Sequence, residues 1–262
     1  MDLGLTGKNA IVLASSQGLG YGVAAKLAAE GANVLLTARN ADRLAAAAAQ
    51  INAVGPGRAS TFACDLGDVE SASRISEAAG RVFSQTDILV NNCGGPPATP
   101  ASEISAALWT EQFSHIALPI FELSRLILPG MRQRRWGRII TIGSSGVEEP
   151  IRHLPLSNAL RAGLAGWLKT LASEVAADGV TVNMMIPGRI KTDRVVAIDA
   201  FRAAKDGTST EQVIADSLRQ IPAGRYGRVE EFAAAAAFLA GVPASYITGS
   251  LLRVDGGMIG SL

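Results

Sequence analysis

The chain has 262 residues, 48% of them hydrophobic and 18% charged, with a formal net charge of +1. That apolar content excludes a disordered chain, no run of like charge is long enough to act as a tail, and the near-neutral balance gives no electrostatic reason for a nucleic-acid partner. With 28 glycines, 11 prolines and only 5% aromatic residues, the composition is that of a Gly- and Ala-rich α/β protein, since a β-sandwich draws on more aromatic and β-branched residues.

Short apolar runs alternate with longer helical segments from one end of the sequence to the other. Residues 9–14, 33–37, 60–64, 88–91, 138–142, 181–186 and 251–254 are mostly unbroken apolar stretches, the pattern of strands covered by helices on both faces. Between them, residues 19–30, 41–54, 69–83, 105–131, 157–177 and 229–240 carry helical patterning. The alternation predicts a Rossmann-type doubly wound parallel sheet of about seven strands with helices on both faces, built as one domain over residues 1–262. Residues 191–225 interrupt the rhythm with an amphipathic stretch (residues 211–218) between polar turns, and are expected to cover the substrate site or to form an ordinary surface excursion. The early run 9–14 flows into a Gly-rich turn rather than a cleavage site, and the apolar stretch 232–244 is broken by Gly241 and Pro243. A membrane span needs roughly 20 apolar residues, so neither a targeting signal nor a span is predicted. Cys64 and Cys93 form no CxxC pair and read as free thiols of a cytoplasmic protein. No metal site is expected.

The first strand ends in Ser15-Ser16-Gln17-Gly18-Leu19-Gly20, directly before a helix. Glycines at such a turn let the backbone approach a pyrophosphate, and the helix N-terminus supplies N–H donors and a favourable dipole. Dinucleotide sites of this kind usually carry a carboxylate at the end of the second strand for the ribose hydroxyls. Here that strand ends Thr37-Ala38-Arg39-Asn40. Arg39 stands where it can meet a 2′-phosphate, so NADP(H) is preferred over NAD(H), against the plainer reading of a solvated arginine.

These motifs together resemble the short-chain dehydrogenase/reductase family, and within it the β-ketoacyl-ACP reductase-like branch, over nearly the whole chain. Cys64-Asp65-Leu66 is similar to the segment whose aspartate contacts adenine, and Asn91-Asn92-Cys93-Gly94 resembles the family's NNAG. Residues 137–144 are similar to the strand that delivers the active-site serine, Ser144. Pro187-Gly188 with Ile190 and Thr192 resembles the segment lining the nicotinamide, and Gly224-Arg225 through Val254-Asp255-Gly256-Gly257 the C-terminal signature. The resemblance implies strand order 3-2-1-4-5-6-7, which separates Cys64 from Cys93 by three strand spacings of about 4.8 Å, too far for a disulfide. It also implies a dinucleotide coenzyme, a small-molecule or acyl-carrier-linked carbonyl substrate, and a homodimer or homotetramer; the helical stripe Leu164, Trp167, Leu168, Leu171 and Val175 reads as helical core or, by the resemblance, as part of a subunit interface.

Against the family's Asn-Ser-Tyr-Lys tetrad, the resemblance leaves only Ser144 in place. The family's spacing puts Ser157 at the tyrosine position, Arg161 at the lysine position and Ile116 at the asparagine position. The three tyrosines, Tyr21, Tyr226 and Tyr246, all lie outside residues 144–161. The glycine turn departs as well, with Leu13 and Ala14 at the family's Thr and first Gly positions, and a Cβ at residue 14 is expected to reshape the loop. A serine hydroxyl is a far weaker acid than a phenol of pKa about 10, and arginine does not shuttle protons. Ser157 and Arg161 are an i, i+4 pair on one helix face, so Arg161 can hold a ribose or a substrate carboxylate, while Ser157 reads as catalytic or, more simply, as a helix N-cap after Pro155. His153 is the leading replacement proton donor, an imidazole being suited to general acid work near neutral pH, set against an exposed loop histidine. His115 is weaker, being turned about 100° from Ile116. Glu148 and Glu149 are further substrate-contact candidates. The basic run 132–138 reads as a helix end complementing its dipole. The expectation is an NADP(H)-dependent oxidoreductase with an altered proton donor; the alternative is a dinucleotide-binding homologue without redox activity, serving as a sensor or assembly subunit.

Overall fold

The computed structural model describes residues 1–261; Leu262, the last residue of the expected domain, lies outside the described residues. Seven parallel strands form one sheet: β1 (Asn9–Val12), β2 (Asn33–Ala38), β3 (Ala59–Ala63), β4 (Ile88–Asn91), β5 (Gly137–Ile142), β6 (Val180–Pro187) and β7 (Leu251–Val254). Their order is β3-β2-β1-β4-β5-β6-β7. The unbroken apolar runs have the expected cause, since every residue of β1, β4 and β5 is buried. The edge strand β3 alternates instead, with Thr61 and Ala63 exposed.

The helices are α1 (Gly18–Ala29), α2 (Ala41–Asn52), α3 (Ser71–Val82), α4 (Ala106–Ile116), α5 (Leu118–Gln133), α6 (Pro155–Val175), α7 (Asp193–Asp206), α8 (Thr210–Arg219) and α9 (Val229–Ala240). One face of the sheet is covered by α1, α2 and α9, which share a core around Leu27, Leu44 and Phe232. The other is covered by α3, α5 and α6 through Ile75, Leu123, Leu164 and Leu168. α1 and α9 approach so closely that a Cβ at Gly22 would run into Val229 Cγ1, which is why a glycine faces the Ala-rich helix. No helix of the described residues is long and apolar enough to cross a membrane.

Two segments differ from the sequence reading. The single helix expected over residues 105–131 is two helices, broken at Ala117 just before Pro119. The ring of Pro119 supplies no N–H for a continuous ladder but suits the first turn of a new helix. The irregular segment 191–225 contains two helices: the amphipathic stretch is α8, and α7 precedes it. α7 is capped by Thr192, whose hydroxyl accepts from Val195 N at 3.3 Å, and ends at Gly207 in the left-handed conformation.

Both helices are fastened to the sheet by a buried polar cluster. Arg189, just past β6, donates to Asp199 Oδ1 at 2.9 Å and to Ser217 Oγ at 3.3 Å. Tyr226 Oη donates to Asp199 Oδ2 at 2.9 Å. Burial pushes the Tyr226 phenol up. The basic run is used in the same structural way: Arg132 pairs with Asp178, Arg134 reaches Thr86 O, and the buried Arg138 donates to Gly137, Gly179 and Gly241 carbonyls. Removing one partner of a buried ion pair leaves an uncompensated charge and costs about 3–5 kcal/mol. Asp199→Ala is therefore expected to release α7 and α8, seen as a lowered Tm and faster proteolytic cleavage within residues 191–225; an unchanged cleavage pattern would remove Asp199 as the fastening point.

Candidate coenzyme and active site

The sheet order reverses between β1 and β4, and in doubly wound folds this switch point opens a crevice beyond the carboxyl ends of the strands. The β1 turn sits there. Leu13 N donates to Val90 O at 3.0 Å and Ser15 N to Thr37 O at 2.9 Å, so the turn is stitched to β4 on one side and β2 on the other. Ser15 is fully buried, donates through Oγ to Val12 O and accepts from Thr37 N; its side chain is structural. Asn92 Nδ2 donates to Ala14 O at 3.1 Å. A Cβ at Gly20 would lie 2.5 Å from that same carbonyl and 2.7 Å from Asn92 Nδ2. Gly20 is thus required by the packing of α1 against the turn. Ser16, Gln17, Gly18 and Leu19 form the outer, partly open part of the turn.

Ala14 has φ +47° and Gly18 φ +61°. Ala14 keeps the left-handed backbone that suits a glycine, so the added Cβ strains the turn rather than rebuilding it. Left-handed backbone costs an L-residue roughly 1–2 kcal/mol, partly offset by the unfolded-state entropy that glycine adds. Ala14→Gly is expected to raise stability by up to about 1 kcal/mol, measured by chemical denaturation; a loss of stability would show that the methyl is held by favourable packing.

The N-terminus of α1 carries no side-chain cap and no acidic residue in its first turn, which leaves its amides and positive dipole end free for an anion. Across from it, Thr192 Cγ2 lies 3.9 Å from the Cβ position of Gly18. Around the same crevice Thr37 Oγ1 and Asn91 Oδ1 are buried without a hydrogen-bond partner, Asn91 donating only to Thr141 Oγ1 at 3.3 Å. These orphaned atoms and the uncapped helix fit a polar, phosphate-bearing ligand. At the end of β2, Arg39 has a side chain 79% exposed, its one ionic neighbour among the described residues being Asp65 Oδ2 at 3.9 Å. Asp65 Oδ1 accepts from Gly67 N at 3.0 Å, and Leu66 is partly buried beside it. Arg43 was not singled out in the sequence. Asn40 caps α2 by accepting from Arg43 N, and Arg43 Nη1 donates to Gln17 Oε1, which brings a second cation over the glycine turn. The Asn40-to-Arg43 spacing was the available signal.

On the far side, Pro187 ends β6 and Gly188 follows it; Gly188 N donates to Val254 O and a Cβ there would strike Asp255. Ile190 is buried in the core, so its side chain serves packing. Ser144 follows β5 half-buried and its Oγ accepts from Gly146 N at 3.2 Å. That bond occupies a lone pair and leaves the hydroxyl proton available to a carbonyl oxygen.

The remaining candidates are placed differently from the sequence reading. Ser157 is not an N-cap: Leu154 holds that position, the helix opens with Pro155, and Ser157 is buried in its first turn. Arg161 is buried and its guanidinium is taken up by protein, donating to Ile142 O at 2.8 Å, Gly94 O at 3.3 Å and Cys93 Sγ at 3.5 Å. It ties the loop after β4 to the end of β5 rather than reaching for a ribose or carboxylate. His153 is exposed and makes no hydrogen bond among the described residues. His115 Nδ1 lies 2.8 Å from Glu111 O and its ring covers Gly67. Glu148 pairs with Arg253, and Glu149 accepts from Gly260 N at 2.9 Å, so both carboxylates hold the C-terminal segment. Asn158 exchanges hydrogen bonds with Ile151 and so fixes the loop between Ser144 and α6. Cys64 and Cys93 are buried free thiols, and burial pushes the Cys64 thiol up.

The sheet order, the stitched glycine turn and the crevice beside it define a Rossmann-type doubly wound α/β protein. A family model described as enoyl-(acyl carrier protein) reductase matches residues 13–259. The chain is 37% identical to the 3-oxoacyl-(acyl-carrier-protein) reductase FabG of Escherichia coli K12, over 96% of this chain and 97% of that one. Among solved structures, L-sorbose reductase from Gluconobacter frateurii complexed with NADPH and L-sorbose superimposes with a TM-score of 0.95 at 32% identity over the whole of both chains. A 3-oxoacyl-(acyl-carrier-protein) reductase from Agrobacterium tumefaciens C58 with NADP bound gives 0.88 at 30% identity, over 97% of this chain and 95% of that one. The chain belongs to the short-chain dehydrogenase/reductase family of oxidoreductases.

Proposed function

We propose that the chain is an NADP(H)-dependent oxidoreductase that interconverts a carbonyl and a hydroxyl group on a small or acyl-carrier-linked substrate, with a proton route other than a tyrosine. The observation that carries the reading is the combination of an uncapped α1 N-terminus with a nearly free Arg39 at the end of β2 and a Ser144 hydroxyl poised beyond β5. Relatives named as NADPH- or NADP-bound reductases support it.

The backbone of residues 15–20 and Thr192 would hold the pyrophosphate, Arg39 with Arg43 the 2′-phosphate, Asp65 and Leu66 the adenine. The loop Asn91–Gly94 and Pro187–Gly188 would flank the nicotinamide end. When bound, the coenzyme supplies the hydride. Ser144 donates its hydroxyl hydrogen bond to the substrate carbonyl and polarises it for attack. Arg161 keeps the two loops around Ser144 in register but moves no proton, because a guanidinium does not deprotonate. The proton reaches the substrate oxygen from water or from the exposed His153.

The second reading, a dinucleotide-binding homologue without redox activity, is favoured by the same Arg161, whose donors are consumed by carbonyls. For both readings we further infer a cytoplasmic homodimer or homotetramer. Its support is an apolar face on α4, α5 and α6, where Trp109 and Phe113 are 37% and 41% exposed beside an edge-on Phe121–Trp167 pair at 4.7 Å.

NADPH titrated into the protein is expected to bind well ahead of NADH, and Arg39→Ala is expected to weaken NADPH about tenfold or more while leaving NADH nearly unchanged. A preference for NADPH that survives the substitution would overturn the phosphate assignment. In a panel of ketones and ketoacyl thioesters, Ser144→Ala is expected to lower kcat about a hundredfold with NADPH affinity intact, the scale of losing one oxyanion donor. Tight NADPH binding without turnover on any carbonyl would favour the second reading.

A further inference from the structure

A second arginine enters the crevice from the covering segment. Arg194 lies in the first turn of α7, and its Nη2 sits so close over Gly95 that a Cβ there would run into the guanidinium. Gly95 directly follows Gly94, the residue whose carbonyl Arg161 holds at 3.3 Å. Among the described residues Arg194 forms no hydrogen bond and no ion pair, and Arg161 meets only carbonyls and a thiol. Two permanent cations therefore converge on the loop after β4 with no carboxylate between them. Although much of Arg194 is open to solvent, desolvation of the head group, followed by repulsion from Arg161, holds it below the usual arginine value. Such an arrangement is unfavourable in the free protein and becomes favourable once an anion enters, since guanidinium–carboxylate bonds are charge-assisted and bidentate.

We propose that Arg194, backed by Arg161, is an anion clamp that binds a carboxylate on the substrate and so sets the substrate class to oxo or hydroxy acids. This rests on the oxidoreductase reading for the word substrate, but not for the anion site itself. The coenzyme has its own anion-binding elements at the α1 N-terminus and Arg39. Thr192 is the residue of this segment that faces the glycine turn, whereas Arg194 lies over the loop after β4. The carboxylate in the clamp would lie beside the reacting carbonyl, as the binding energy of a non-reacting group is used to orient the reacting one.

The test uses the NADPH-loaded protein with malonate as the probe and needs no turnover. Thermal denaturation is expected to show a malonate-dependent rise in Tm for the wild-type chain that is lost in Arg194→Met, with sodium chloride at matched ionic strength as the control. Arg194→Met alone is expected to raise the Tm of the ligand-free protein by relieving the repulsion, with NADPH affinity within about twofold of wild type. A rise matched by chloride, no rise, or a rise that persists in Arg194→Met would overturn the clamp. A tenfold loss of NADPH affinity in the variant would do the same by assigning Arg194 to the coenzyme's phosphates. If malonate binding depends on Arg194 and no carbonyl compound of any kind is turned over, the anion site stands and the oxidoreductase reading fails; turnover of neutral ketones with no oxo acid reduced would overturn the substrate class.

Discussion

The structure turns on one close approach at the sheet's switch point. β1 and β4 are neighbours whose following segments leave in opposite senses, so the turn after β1 has to be anchored from β4. Asn92 does this by donating to Ala14 O, and Gly20 makes room for it. Residue 14 takes left-handed backbone at this contact, and α1 begins just beyond it without a side-chain cap. The open N-terminus is the part of the fold on which the proposed phosphate recognition rests.

The same logic explains which parts of the sequence were legible. Buried parallel strands have to be apolar without interruption, so β1, β4 and β5 were readable as runs; the departures at strand ends are single residues except at β1, whose apolar run continues two residues past Val12 into the turn. Helix boundaries depend on local chemistry that patterning overlooks. The apolar period runs straight through Ala117 and conceals the break imposed by Pro119. At α6 the serine after Pro155 has the right identity for a cap but the wrong position, because Pro155 itself occupies the first helical position and displaces the cap to Leu154. α7 was missed because its outer face exposes Val196, Ile198 and Phe201, so its apolar residues do not trace a single buried stripe.

For the site, residue identity told what chemistry was possible but not what was already engaged. Arg161, Glu148 and Glu149 each carry a charge suited to a ligand, yet the fold uses them to tie loops and the C-terminal segment together. Those partners lie far away in sequence, so no spacing rule reaches them. Arg43 and Arg194 show the converse: ordinary helix-surface arginines by pattern, they are brought to the crevice by the caps at Asn40 and Thr192.

On the proposed reading Arg161 stands at the family's lysine position, and a guanidinium there has a physical consequence for the proposed chemistry. A lysine can exchange a proton and hold a ribose with the same ammonium; a buried arginine bound to Ile142 and Gly94 carbonyls does neither. What it retains is charge. Arg161 holds a permanent cation against the strand that ends two residues before Ser144, in surroundings where water screens poorly, and such a charge lowers the energy of negative charge developing on a nearby carbonyl oxygen. Negative charge on the substrate oxygen would then be stabilised electrostatically by Arg161 before it is protonated, which relaxes the requirement for an acid of tuned pKa. On the proposed reading, the absence of a tyrosine between residues 144 and 161 changes the order of events, with charge stabilised first and the proton taken up afterwards from solvent.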